Sequence, residues 1–301
     1  MWRVILLWCC SVAVWAADAP VLRLETGMHT APIRRISVDA AQRFVVTASH
    51  DKTARVWDLA SGQLLQVLRP PLGAGDEGKL YAVALSPDGQ EVALGGWTDE
   101  QNSIYLFDRA SGRLTRRISG LPNVINHLRY SRDGQQLAAA IWGKGGIRLY
   151  RRSDGAEIGR DSDYGSDSYG LDFDAGGRLV SSCYDGYVRL YAPGLKLLRK
   201  VAPSGGQQPY SVRFSPDGQR LALGFHDSTV VQVLSGDDLR LLYAADTAQV
   251  NNGSLNSVAW SADGQMLYAG GSIGMVLARL SCAGIRPDAG RGRSCLPAAT
   301  P

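Results

Sequence analysis

A five-residue turn recurs along this chain at an interval too long for a hairpin and too regular for chance. It reads VDAAQ at 38–42, LSPDG at 85–89, YSRDG at 130–134, FDAGG at 173–177, FSPDG at 214–218 and WSADG at 260–264. Consecutive copies end 47, 45, 43, 41 and 46 residues apart. A spacing of about 40–45 residues belongs to a supersecondary unit that stacks on copies of itself, since one such unit cannot bury its faces alone.

The flanks of each turn define the unit. An alternating stretch precedes it (IRRIS, YAVAL, NHLRY, YGLDF, YSVRF, NSVAW) and a small-residue stretch follows (FVVTAS, EVALGG, QLAAAI, RLVSSC, RLALGF, MLYAGG). A third stretch comes next (ARVWD, IYLFD, IRLYR, VRLYA, VVQVL, MVLARL), and most units add a fourth after a Ser-Gly or similar turn. Runs rich in Val, Leu and Tyr bounded by Asp-Gly and Ser-Gly are strand and hairpin signals. No segment sustains a long helical period. The fold expected is all-β: a β-propeller of four-stranded antiparallel blades with about six recognisable repeats, hence six or seven blades. Small residues on each second strand (Ala48, Gly95, Ala140, Ser182, Gly224, Gly270) suit crowded contacts near the axis.

The stretch HTAPIRRISVDAAQRFVVTASHDKTARVWDLASGQLL, which opens the first unit, resembles the WD-repeat (WD40) β-propeller family. The other units match more loosely, with Phe107-Asp108, Tyr150, Tyr191 and Leu234 near the Trp-Asp site. The resemblance covers about 21–280 and suggests an exported bacterial member. It implies a hydrogen-bonded network within a blade, carried here by His29, Thr47 or Ser49, Asp51 and Trp57. Asp185 and Asp227 take the place of Asp51 in later units. A turn carboxylate of this kind accepts backbone N–H groups and fixes the turn. His50 and His226 then read as exposed turn residues. Only the first unit keeps the whole network in sequence, so apolar stacking is expected to hold the others.

The pattern also departs from the family's usual seven units. VLRLE at 21–25 is an orphan strand of the kind that completes a last blade in this family, and strand character fades after Leu280. A closed ring of six, an open ring needing a partner and a chain shortened relative to longer relatives are all consistent with this. A ring of about six units over 21–280 with an irregular tail at 281–301 is the reading adopted. An unclosed ring would leave strand edges free to pair. Trp97 and Trp142 fall on loops of adjacent units, where they either anchor a partner or cover a blade edge.

Residues 1–16 read as a signal peptide: Arg3, an apolar run from Val4 to Ala16, then small residues. Periplasmic or secreted location follows, with anchoring by an uncleaved N-terminal segment as the alternative. In an oxidising compartment Cys282 and Cys295 could pair, leaving Cys183 as a buried inert thiol. The formal charge of +4 is mild and its arginines are scattered, so nucleic acid is not an expected partner.

No nucleophile elbow, phosphate-binding loop or metal-spaced His or Cys set is present in the sequence. The acidic stretch DSDYGSDSYG at 161–170 lacks the ordered ligand spacing of a calcium loop. No cofactor and no metal are therefore expected. Aligning the first strands places Arg34, Tyr81, Asn126, Tyr169, Tyr210 and Asn256 at equivalent positions, with His127 alongside. Equivalent positions of a propeller ring its axis, and Tyr and Arg are the side chains enriched at binding hot spots. The expected function is a non-catalytic scaffold that binds a protein or peptide on one propeller face. The alternative is a propeller enzyme, lactonase-like or another hydrolase, with its site at the axis.

Overall fold

The computed structural model describes residues 27–71, 73–98, 101–250, 252–272 and 278–281. The segment 1–16 expected to be a signal peptide, the stretch 21–25, the cysteines Cys282 and Cys295 and the tail from residue 282 lie outside the described residues. Blade 1 is built of β1 (Ile33–Val38), β2 (Phe44–Ser49), β3 (Ala54–Asp58) and β4 (Leu64–Leu68); blade 2 of β5 (Lys79–Leu85), β6 (Glu91–Trp97), β7 (Ile104–Asp108) and β8 (Leu114–Ile118). Blade 3 has β9 (Ile125–Tyr130), β10 (Gln136–Ile141), β11 (Ile147–Arg151) and β12 (Glu157–Asp161); blade 4 has β13 (Ser168–Phe173), β14 (Leu179–Cys183), β15 (Val188–Ala192) and β16 (Lys196–Val201). Blade 5 holds β17 (Pro209–Phe214), β18 (Arg220–Phe225), β19 (Val231–Ser235) and β20 (Leu241–Ala244), and blade 6 holds β21 (Ser257–Trp260), β22 (Met266–Gly270) and β23 (Ala278–Ser281). Each sheet is an antiparallel meander with strands in sequence order. One turn of 3-10 helix, Gly143–Gly145, stands among the described residues.

The recurring turn works by one device. In blade 2 the Ser86 hydroxyl accepts the Glu91 N–H at 2.9 Å while Asp88 accepts the Gln90 N–H at 3.0 Å, and Gly89 takes a φ of +71°. Ser131 with Asp133, Ser215 with Asp217 and Ser261 with Asp263 repeat it in blades 3, 5 and 6. VDAAQ and FDAGG lack the serine and substitute a carboxylate. Asp39 accepts the N–H groups of Arg43 and Phe44 at 2.7 and 2.9 Å, and Asp174 accepts that of Arg178 at 2.8 Å. Both arginines close an ion pair back onto the same aspartate, at 2.9 and 2.6 Å.

Blades pack through the first and second strands of one against the first strand of the next. A separate apolar cluster fills each of the five junctions from blade 1 to blade 6. A fully buried Val, Leu or Phe stabilises by about 1.5–3 kcal/mol over an exposed one. A single hydrogen bond contributes about 0.5–1.5 kcal/mol net. Stacking is therefore the dominant cohesion between blades. The small residues on the second strands permit it: a Cβ on Gly95 would lie 2.9 Å from Ile125, and one on Gly224 would lie 2.5 Å from the Leu255 carbonyl oxygen.

Blades 6 and 1 meet differently. Residues of β1 and β21 line opposite sides of a cavity of about 990 Å³ that runs in to the axis. Ile33, Ile36 and Val38 of β1 are exposed on that side, Ile36 by 61%. Among the described residues, no apolar cluster joins these two blades. Cys183 is buried on β14, its thiol donating to the Ser166 carbonyl at 3.2 Å and its pKa pushed up to about 12, chiefly by burial.

Candidate functional site

The ring expected from alignment has a backbone cause. Pairing between first and second strands jumps from Ile33 to Arg35, Leu80 to Ala82, Ile125 to His127, Ser168 to Gly170 and Pro209 to Ser211. The residues skipped are Arg34, Tyr81, Asn126, Tyr169 and Tyr210, and Asn256 immediately precedes β21. A bulge releases its extra residue from the ladder and re-aims its side chain. Here it turns four of them, Arg34, Tyr81, Tyr169 and Tyr210, toward the end of the axis where the first strands begin, called the top face below.

A second ring, which the sequence reading did not assemble, surrounds the first. The residue just beyond the small-residue segment of each second strand is His50, Trp97, Trp142, Tyr184 and His226 in blades 1 to 5, and Ser272 in blade 6. Each of the first five is held by a backbone bond to the loop entering its own blade, as in Tyr184 N–H to the Asp167 carbonyl at 2.9 Å. Five ring-bearing side chains at one repeat position was the available signal. Reading His50 and His226 as turn residues and the two tryptophans as loop residues dispersed it.

The two rings touch. Tyr169 stacks on Tyr210 with centroids 4.8 Å apart, and Tyr184 lies 4.5 Å from Tyr169 and 5.5 Å from His226. On the opposite side His50 packs on Tyr81 at 4.6 Å, and the Arg34 guanidinium sits 5.8 Å from the same ring. Trp97 and Trp142 meet edge to face at 6.0 Å, each about 40% exposed. Burial, then the charge of Arg34, lowers the pKa of His50, so it is neutral at pH 7. Burial, then Asp167 for Tyr169 and the neighbouring tyrosines for Tyr184, raises both phenols above the usual tyrosine value, so both stay protonated donors.

Two of the aligned residues lie inward. Asn126 is buried and donates to the Ser168 carbonyl at 3.1 Å. His127 is buried too, its Nδ1 accepting the Leu171 N–H at 3.0 Å. Burial and the charges of Arg35, Arg213 and Arg129 hold its pKa well below the ordinary value, so the ring is neutral. Both residues brace blade 3 against blade 4.

The cluster at 47–57 is architecture. Trp57 Nε1 donates to Thr47 Oγ1 at 3.0 Å, His29 Nε2 lies 2.7 Å from the same hydroxyl, and His29 Nδ1 lies 2.8 Å from Asp51. Thr47 is thus the network hydroxyl, while Ser49 donates to the Ala31 carbonyl at 3.0 Å. The three turn carboxylates share a further task, gripping the loop that enters their blade. Asp51 accepts the Thr30 N–H at 3.1 Å, Asp185 that of Gly165 at 3.1 Å, and Asp227 those of Gln207 and Gln208 at 2.8 and 3.1 Å.

Blade 4 departs from the expectation that only blade 1 carries a complete network. Tyr164, Ser181, Asp185 and Tyr191 occupy the places of His29, Thr47, Asp51 and Trp57. The Tyr164 hydroxyl lies 2.6 Å from Ser181 Oγ and 2.8 Å from the Tyr191 hydroxyl, which donates to Asp161 at 2.8 Å. Arg189 is fully buried between Asp185 at 2.6 Å and the face of Tyr164, 4.0 Å from its centroid. The acidic stretch is absorbed into this framework: Asp161 serves Tyr191, Asp163 pairs with Lys200 at 3.1 Å, and Asp167 accepts the Gly143 N–H at 2.6 Å.

Radially stacked four-stranded meanders that present one ring of side chains per strand position define a β-propeller. The family model for the WD domain, G-beta repeat, matches residues 21–58. Relatives include a guanine nucleotide-binding protein subunit beta of Oryza sativa subsp. indica, 25% identical over 267 residues, covering 82% of this chain and 67% of the relative. Pre-mRNA-processing factor 19 of Oryza sativa subsp. japonica is 29% identical over 211 residues, 66% of this chain and 38% of the relative. Telomerase protein component 1 of Mus musculus is 25% identical over 209 residues, 68% of this chain but 8% of the relative. The chain thus spans only a small part of several relatives it matches. The fold, the matched repeat and these relatives together support a WD-repeat β-propeller.

Proposed function

We propose that this protein is a non-catalytic scaffold that binds a protein or peptide across its top face. One observation carries the reading: a double ring of Arg34, Tyr81, Tyr169 and Tyr210 inside His50, Trp97, Trp142, Tyr184 and His226, aimed outward by bulges rather than packed into a core. Aromatic side chains of this kind supply large contact area at low entropic cost. The relatives, WD-repeat proteins with names as different as a G-protein subunit and a pre-mRNA-processing factor, support a binding role without naming this chain's partner. The N-terminal segment supports export to the periplasm or beyond, where the partner would be found.

The test is affinity capture from the exported fraction with wild-type protein, the Tyr169→Ala/Tyr210→Ala double variant and a control, Leu198→Ala, on the exposed outer strand β16. Loss of the captured species with the double variant alone is expected. Retention of it at wild-type yield would overturn the reading. Turnover in a hydrolase panel by purified protein would instead favour an axial enzyme site. The mass of the mature chain in the exported fraction checks cleavage after residue 16.

A further inference from the structure

Three arginines converge on the axis below the top face. Arg129 and Arg213 occupy the same register position in blades 3 and 5, and Asp172 holds that position in blade 4 between them. Arg35 reaches from blade 1 across the axis, its Nη2 donating to the backbone carbonyls of Asn126 and Tyr169 at 3.2 and 3.4 Å. All four residues line the cavity of about 990 Å³ between blades 1 and 6.

The charges do not balance. Asp172 pairs with Arg129 at 2.9 Å and spends its other oxygen on the Phe214 N–H at 2.9 Å. Among the described residues Arg213 is held by main-chain acceptors, donating through Nη1 to the Leu171 and Val212 carbonyls at 2.7 and 3.3 Å. Arg35 keeps a buried Nε with no partner. Among the described residues three guanidinium groups face one carboxylate, which leaves two positive charges uncompensated. Asp39, also on the cavity wall, is committed to Arg43 and to the backbone. Burial, reinforced by Arg129 and Arg35, pushes the pKa of Arg213 down to about 9, so the group is still protonated at pH 7. Like charges in a low-dielectric space repel strongly.

We propose that this axial cavity binds a phosphate dianion, gripped by Arg35, Arg129 and Arg213. Two uncompensated charges match the charge of about −2 that a phosphate monoester carries near neutral pH. Guanidinium forks match its oxygens in geometry. The cavity far exceeds a water's share of about 30 Å³, leaving room beside Trp260 and Tyr268 for the organic part of an ester.

Calorimetric titration at constant ionic strength tests this with phenyl phosphate, inorganic phosphate and phenol as probes. Saturable binding of both phosphates, with none of phenol, is expected. A tenfold or greater preference for phenyl phosphate identifies an ester as the occupant, and equal affinity identifies the free anion. Arg35→Met and Arg213→Met are each expected to weaken phosphate binding at least tenfold, while Arg160→Gln, on the exposed outer strand β12, leaves it unchanged. Wild-type protein gives a second readout needing no variant: sulfate displaces the phosphate probe and nitrate does not. Absence of saturable phosphate binding, undiminished binding in both methionine variants, or equal displacement by nitrate would overturn the proposal.

Discussion

Tyr169 and Tyr210 sit at the same bulge position of consecutive blades, and their rings stack at 4.8 Å with 29° between the planes. The contact crosses a blade junction outside the apolar core, so it couples two modules through their binding surface. Aromatic pairs of this geometry contribute about 0.5–1.5 kcal/mol beyond the area they bury. A double-mutant cycle with Tyr169→Ala and Tyr210→Ala, followed by urea unfolding, is expected to return a coupling energy in that range. A value indistinguishable from zero would mean that each ring is held by Tyr184 and His226 independently of the other.

The two blade networks are expected to differ in cost. Trp57→Phe removes one donor from Thr47, whose hydroxyl keeps His29 as a partner. About 0.5–1.5 kcal/mol is the ordinary loss for such a bond. Tyr191→Phe removes the hydroxyl that donates to the half-buried Asp161 carboxylate and one of the two hydroxyl neighbours of the buried Tyr164, which keeps Ser181. A hydrogen bond to a charged group is worth about 1.5–3 kcal/mol. Chemical denaturation should therefore rank Tyr191→Phe as the more damaging change, and the reverse order would show that blade 4 is held by apolar packing alone.

Acid is expected to loosen the bottom face near blade 2. Burial opposes the charged form of Asp88, but bonds to Arg152, to Ser86 and to the Gln90 N–H outweigh it and lower its pKa to about 2. A depressed carboxylate pKa contributes stability that is complete above the unfolded value of about 3.9 and is lost as pH falls toward the folded value. Asp88 is 43% exposed, and solvent screening reduces its share to about 1 kcal/mol. Stability measured from pH 5 down to pH 2 should fall less steeply in Asp88→Asn than in wild type, the difference confined to that window. Superimposable pH profiles would remove Asp88 from the acid response.

The architecture was legible because its determinants are local. The recurring turn carries its own serine, aspartate and glycine, and the first network keeps its family spacing from His29 to Trp57. The inner ring could be aligned from sequence, although the bulges that aim it could not be read. Asn126 and His127 show the difference, since the same alignment that places Tyr169 outward places these two against the next blade. The Tyr164–Tyr191 network was invisible because tyrosines in place of His and Trp match no pattern until the fold brings them within 2.8 Å. The axial arginines were hidden for a similar reason: only strand register brings Arg35 of blade 1 within reach of the main chain of blades 3 and 4.

Gly224 and Gly270 hold the same position on the second strands of blades 5 and 6, yet their surroundings differ. A Cβ on Gly224 would press within 2.5 Å of the Leu255 carbonyl oxygen, whereas one on Gly270 would meet nothing within 4 Å among the described residues. The difference follows from the junction that each faces, since β18 packs on β21 while β22 borders the open cavity. Gly224→Ala is expected to destabilise by about 1–3 kcal/mol, the usual range for overpacking a tight contact. Gly270→Ala is expected to be neutral or to stabilise by about 0.4–1 kcal/mol, because it only restricts the unfolded chain. Thermal and urea unfolding of the two variants reads out which junctions are filled in solution. Equal losses would mean that the sixth blade is covered as tightly as the fifth, and that the cavity beside β1 is closed when the protein is at work.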